Sequence, residues 1–180
     1  MCKPMMRELD TERLHLRYIT AADTQRIFDC WASDPEVTKF LTWNAHSSVD
    51  VTEKYVRFIL GEYKKADTYR WGIVIRETDE LIGMIDVVGY HHGAPVVGYC
   101  SGRAYWGNGY MTEALRAVTA ALFEDGYDTV VIEAADLNIG SNRVIEKAGF
   151  DFVGSRVAPM SDMKKDELVK INSYRLYKSK

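Results

Sequence analysis

At 180 residues, with 47% hydrophobic and 27% charged positions, the chain has the size and balance of a single globular domain over residues 1–180. A net charge of −3 offers no basic stripe for nucleic acid, and no apolar run is long enough to span a bilayer, which argues against both partners. The start MCKPMMRELD lacks the apolar core of a secretory signal, and Cys2, Cys30 and Cys100 form neither a fully paired set nor a CxxC, so reduced thiols in a cytoplasmic protein are expected.

In ERLHLRYI, Leu14, Leu16 and Tyr18 alternate with Arg13, His15 and Arg17, which predicts a half-buried strand. Thr20 and Asp23 form a capping box ahead of a helix carrying Ile27, Phe28 and Trp31, and Asp34-Pro35 ends it. Ser47 and Asp50 open a longer helix with Val51, Tyr55, Phe58 and Ile59. YRWGIVIRE, LIGMIDVVGY and VVGYCSGR read as three strands joined by turns at TDE and HHGAP. From Gly107 a helix sets Met111, Leu115, Val118 and Leu122 on one stripe. DTVVIEAAD is a short strand, and NIGSNRVIEKAGF is a short helix stopped by Gly149. FDFVGSRV and INSYRLYK are the last strands, with the polar APMSDMKKDELVK as a mobile connection between them. This order makes an α+β domain on one mixed sheet.

The segment RAYWGNGYMTEAL puts Gly107 and Gly109 at the mouth of a helix that follows a strand. Glycines allow a ligand close to the backbone, and the first amides of a helix have no partner within it. With the positive end of the helix dipole they make an anion site, so GNGYMTEA reads as a phosphate cradle or, equally, as a tight strand-to-helix turn. The mononucleotide fingerprint GxxxxGK[ST] is absent. In the dinucleotide fingerprint GxGxxG, Thr112 stands where the third glycine belongs.

The segments TERLHLRYIT, SDPEVTKFL, YRWGIVIRETDELIGMI, VVGYCSGRAYWGNGYMTEALRAV and NIGSNRVIEKAGFDFVG follow one another from Thr11 to Gly154. In this order they resemble the GNAT-superfamily N-acetyltransferases, most of all the branch of ribosomal-protein N-terminal acetyltransferases. The resemblance implies a mixed, mostly antiparallel central sheet flanked by helices, and a cytoplasmic enzyme that acetylates an amine from acetyl-CoA, without a metal. It implies that pyrophosphate rests on Gly107, Asn108, Gly109 and Tyr110, and that pantetheine pairs with main chain at Tyr99, Cys100 and Ser101. Ala104 stands where the family carries a polar residue, and Arg103 beside it is a candidate replacement. Asn138 matches the family's coenzyme-contacting asparagine, and Arg143, one turn on, is placed to meet a phosphate. Relatives commonly form homodimers.

Transfer needs a neutral amine, a stabilised oxyanion and a proton for the departing thiolate. Asp86, in IGMIDVVG, falls by period two with Ile82, Met84 and Val88. It is either a desolvated base or half of an ion pair with an arginine. Glu133, in VVIEAAD, is a second candidate base, and the two together would also suit an ammonium. Ser141 matches the family's proposed general acid; the alternative is a helix-start cap. Trp43 matches an aromatic lining the acceptor pocket, or else packs in the core. Tyr90 beside His91 and His92 sits at a hairpin tip, as a substrate contact or a solvated turn, and the two histidines have no third metal ligand at useful spacing. Cys100 fits as a small buried residue. The expected acceptor is a primary amine, a protein N-terminus before a small amine. The rival reading is an acyl-CoA-binding sensor of the same fold without chemistry.

Overall fold

A computed structural model describes residues 6–159, 161, 164 and 167–179 of the protein; Cys2 lies outside them. Two short strands, β1 (Leu9–Asp10) and β2 (Leu14–Arg17), lead into helical turns over 21–32, with α1 at Thr24–Ile27, followed by α2 (Pro35–Thr38) and α3 (Val49–Glu62). Then come β3 (Arg70–Ile75), β4 (Glu80–His91), β5 (Ala94–Ser101), α4 (Tyr110–Glu124), β6 (Thr129–Ala135), α5 (Ile139–Lys147), β7 (Asp151–Pro159) and β8 (Leu168–Tyr177). The sheet has the order β1-β2-β3-β4-β5-β6-β8-β7, and β5–β6 is its parallel pair. A parallel neighbour requires a crossover, and α4 supplies it. The expected α+β architecture is observed. The last two strands extend into the polar segment read as a connection, and part of that segment lies outside the described residues.

Each face of the sheet carries its own core. On one, Leu14, Leu16, Trp71, Ile73, Ile85 and Ile132 meet Leu115, Val118 and Leu122 of α4 and Ile145 of α5. On the other, Val74, Leu81, Met84 and Cys100 pack beneath Ile27 and Trp31 and beneath Val56 and Ile59 of α3. Strand β4 breaks register with β3 after Ile73 and with β5 after Val87. The first break moves Ile82 onto the α4 face with Ile85, while Met84 stays on the α3 face. The simple period-two reading of this strand is therefore corrected, because an inserted residue reverses the alternation.

Local chemistry explains the boundaries. Asp23 Oδ2 accepts from the Thr20 amide (2.7 Å) and hydroxyl (2.9 Å), which completes the expected capping box. Asp34 ends that helical stretch but also caps α2, accepting from the Glu36 amide at 2.9 Å. Helix α3 begins after Ser48, one residue later than expected, and buries Thr52, Val56 and Ile59 while Val51 and Phe58 are exposed. The β4–β5 turn is His92-Gly93, both at positive φ, which suits a tight two-residue hairpin.

Candidate active site

The turn before α4 is shaped by two left-handed glycines, Gly107 (φ 78°) and the N-cap Gly109 (φ 79°). It is fastened to the other end of the chain. Arg13 Nη1 donates to the Asn108 carbonyl (2.9 Å), Arg13 Nε donates to Glu113 (2.7 Å), and the guanidinium lies 4.7 Å from the Tyr110 ring centre. Glu113 also accepts from the Thr11 hydroxyl (2.6 Å) and the Arg13 amide (2.9 Å). Burial would raise its carboxyl, but these donors together hold it below its ordinary value. A groove lined by Gly107, Gly109, Arg13, Arg116 and Lys147, with Glu12 and Glu113 also on its wall, runs past this turn. Its basic side chains and the helix N-terminus suit a phosphorylated ligand.

Beside the turn the sheet splits. Strand β5 pairs with β4 as far as Gly83↔Ser101, but with β6 only at Val96↔Val131 and Val97↔Ile132. Residues 98–101 therefore face the β6 side without a strand partner, an edge that an extended ligand with amide groups can join. The Ser101 carbonyl already accepts from the Trp106 indole at 3.0 Å.

Across the split stands the start of α5. Asn138 Oδ1 accepts from the Ser141 amide (3.1 Å), so the asparagine caps this helix and its amide nitrogen is the group left to reach a ligand. Ser141 Oγ lies 2.8 Å from the Tyr99 hydroxyl, which is also 3.2 Å from the Ser141 carbonyl. The next residue, Asn142, is a buried hub. Its amide donates to the carbonyls of Ala135 (2.9 Å) and Asn138 (2.7 Å), and its Oδ1 accepts from Tyr174 (2.6 Å) and Asn172 (3.1 Å). Arg143 is exposed on the same helix.

On the α3 face, Asp86 is buried and paired with Arg70 Nη2 at 2.8 Å. Burial pushes its carboxyl up and Arg70 pulls it down, with burial the stronger effect. The Arg70 Nε and Nη1 are buried without a partner. Thus both alternatives read for Asp86 hold at once: it is desolvated and ion-paired. Trp43 is half-buried on the preceding loop, its ring centre 5.2 Å from His46 and 6.3 Å from Tyr55. The Tyr55 hydroxyl reaches Met84 Sδ at 3.5 Å. Cys100 is buried, and burial pushes its thiol far above the range in which a thiolate forms, which leaves it unsuited to attack.

Three expected site residues are drawn elsewhere. Arg103 Nε is held by Asp34 at 2.6 Å, beside the start of α2. Glu133 forms a two-point pair with Arg156 at 2.5 and 2.8 Å, the structural alternative to a base. Tyr90 sits opposite Pro95, six residues and roughly 20 Å along β5 from Ser101. Its hydroxyl lies 3.3 Å from that of Tyr127.

Comparison with known proteins decides the family. The acetyltransferase (GNAT) domain model matches residues 13–151. The chain belongs to the GNAT acetyltransferase family. It is 32% identical over 152 residues to the uncharacterized N-acetyltransferase YoaA of Bacillus subtilis, covering 81% of this chain and 84% of that one. Among solved structures, a putative ribosomal-protein-serine acetyltransferase from Vibrio cholerae superimposes with a TM-score of 0.81 at 24% identity, covering 97% and 99% of the two chains. The ribosomal L7/L12 alpha-N-protein acetyltransferase RimL, in complex with coenzyme A, does so at 0.80 with 17% identity over 95% and 98%.

As a GNAT enzyme the chain is an acetyl-CoA-dependent N-acetyltransferase. The cradle, the open edge of β5 and the basic groove fit a long phosphorylated donor that carries an acetyl thioester. Among the described residues no helix is long and apolar enough to cross a membrane, and no three His, Cys, Asp or Glu side chains are grouped to hold a metal. Sequence reasoning missed Arg13, Glu113 and Asn142. An arginine just before a strand or an asparagine inside a helix carries no local signal of a partner a hundred or thirty residues away.

Proposed function

We propose that the chain transfers acetyl directly from acetyl-CoA to a primary amine, in the manner of the ribosomal-protein N-terminal acetyltransferases, with a protein N-terminus as the favoured acceptor and a small amine as the second. The observation that carries direct transfer is the split of β5 from β6 after Val97, with a phosphate cradle at one end and Ser141 across it. Gly107 to Tyr110 would hold pyrophosphate, Tyr99 and Cys100 main chain would pair with pantetheine, and Asn138 and Arg143 would meet the coenzyme from α5. Acetyl-CoA supplies an activated acyl carbon. The amine nitrogen bonds to that carbon and gives up its proton toward Asp86, through water; the carbon–sulfur bond breaks and Ser141 protonates the sulfur. Trp43 lines the acceptor's path on the α3 face.

The N-terminal acceptor is supported by the names of two structural neighbours and by the motif order of the sequence. The test is transfer of labelled acetyl from acetyl-CoA into a cell lysate separated by size. Label at protein α-amines is expected. Label in small molecules alone would turn the reading to a metabolite amine, and no label with acetyl-CoA bound would overturn the catalytic roles.

A further inference from the structure

The half-buried Tyr99 hydroxyl has no part in the steps above, although it touches one of the groups that has a part. Its strand position is fixed by pairing with Ile85, and its ring packs on the α4 and α5 core. Its hydroxyl approaches Ser141 Oγ at 2.8 Å and the Ser141 carbonyl at 3.2 Å. Tyr99 has the geometry to donate to the carbonyl, and either hydroxyl can donate across the 2.8 Å contact; a phenol has one hydrogen, and the shorter contact has the better O–H···O length. Ser141 is fixed in turn by the Asn138 cap on its amide, and its neighbour Asn142 is tied to β6 and β8.

We propose that Tyr99 is a positioning residue for Ser141: its hydroxyl donates to Oγ, turns the serine's own hydrogen toward the gap beside β5, and steadies the charge that grows on Oγ as that hydrogen moves to sulfur. The inference rests on Ser141 being the proton donor. A free serine hydroxyl rotates and readily bonds to nearby backbone carbonyls. One that already accepts a strong hydrogen bond is oriented and becomes a better donor, since chained bonds polarise each other. Burial raises the Tyr99 phenol above its ordinary value, the Ser141 contact opposing it, so Tyr99 keeps its proton throughout. As the carbon–sulfur bond breaks, sulfur keeps the electron pair and takes the Ser141 proton; the amine's proton passes through water to Asp86, and solvent reprotonates the serine before the next turnover.

The experiment measures release of free coenzyme A from acetyl-CoA with two probe acceptors, a short peptide with an N-terminal serine and spermidine. Tyr99→Phe keeps the ring and removes the hydroxyl. It is expected to lower kcat roughly 10- to 100-fold with KM for acetyl-CoA unchanged within about twofold. Ser141→Ala should cost at least as much, and adding Tyr99→Phe to it should cost nothing more. A further loss in the double variant, or a change in KM in place of kcat, would make Tyr99 a packing residue. Full activity of Ser141→Ala would instead remove the Ser141 reading beneath it. A second measurement needs no acceptor: the thiolate absorbance of coenzyme A is titrated in the binary complex. Both single variants should raise the midpoint of the bound thiol, and unchanged midpoints would overturn the proposal.

Discussion

Gly109 holds one of the cradle's two left-handed backbone angles. At φ 79° a β-branched residue is strained, and a Cβ there would also come within 3.4 Å of Arg13 Nη2. Gly109→Val should leave a folded protein whose coenzyme A affinity, measured by calorimetry, falls at least tenfold, because the turn must open to relieve about 1–3 kcal/mol of strain. Unchanged affinity in a folded variant would refute the cradle. Glu113 acts on the same turn through charge. Folding lowers its pKa, so near pH 4 the unfolded chain binds more protons. Its stabilisation is present above the ordinary carboxylate value and disappears as pH falls through the folded one. Glu113→Gln should therefore cost roughly 1–2 kcal/mol at pH 7, and denaturation curves repeated at falling pH should show the gap to the parent protein closing.

At the scale of elements, the frame of the site depends on one buried amide. Asn142 supplies hydrogen bonds that join the β6–α5 connection to β8. Asn142→Ala leaves the Tyr174 hydroxyl without its acceptor in the interior, while the Ala135 and Asn138 carbonyls keep their backbone donors, at a cost of about 1–3 kcal/mol. A drop of roughly 5–10 °C in the unfolding midpoint is expected by calorimetry, with Ser141 chemistry weakened because its loop loosens. This contrast marks what a sequence reveals. The stripe Leu115, Val118, Leu122 and the alternation of Leu14 and Leu16 are period signals, and all five side chains are fully buried. The Ile82 bulge, the phase of α3 and the diversion of Arg103 to Asp34 depend on contacts between distant segments, which no local period records. Glycines 107 and 109 are legible because a backbone conformation demands them; the pairing of Glu133 is not, because its partner Arg156 arrives on a strand twenty-three residues later.

Over the whole molecule, the proposed reaction centre lies at the unpaired edge of β5, between the sheet's two cores. Ser141 and Tyr99 belong to the α4–α5 side, while Asp86, Tyr55 and Trp43 belong to the α3 side. Asp86 is ion-paired with Arg70 and is proposed as the base, and the two duties can be separated. Asp86→Asn alone leaves the Arg70 charge buried without a counter-ion, which costs about 3–5 kcal/mol and confounds any loss of rate. Replacing both partners, Asp86→Asn with Arg70→Met, removes the buried charge and should return the unfolding midpoint to within a few degrees of the parent. If Asp86 takes the amine's proton, the stabilised double variant stays slow, and the acid limb of its kcat/KM profile against pH disappears, because no carboxylate remains to titrate there. Recovery of rate together with stability would assign Asp86 to the ion pair alone and move the search for the base to water held on this face.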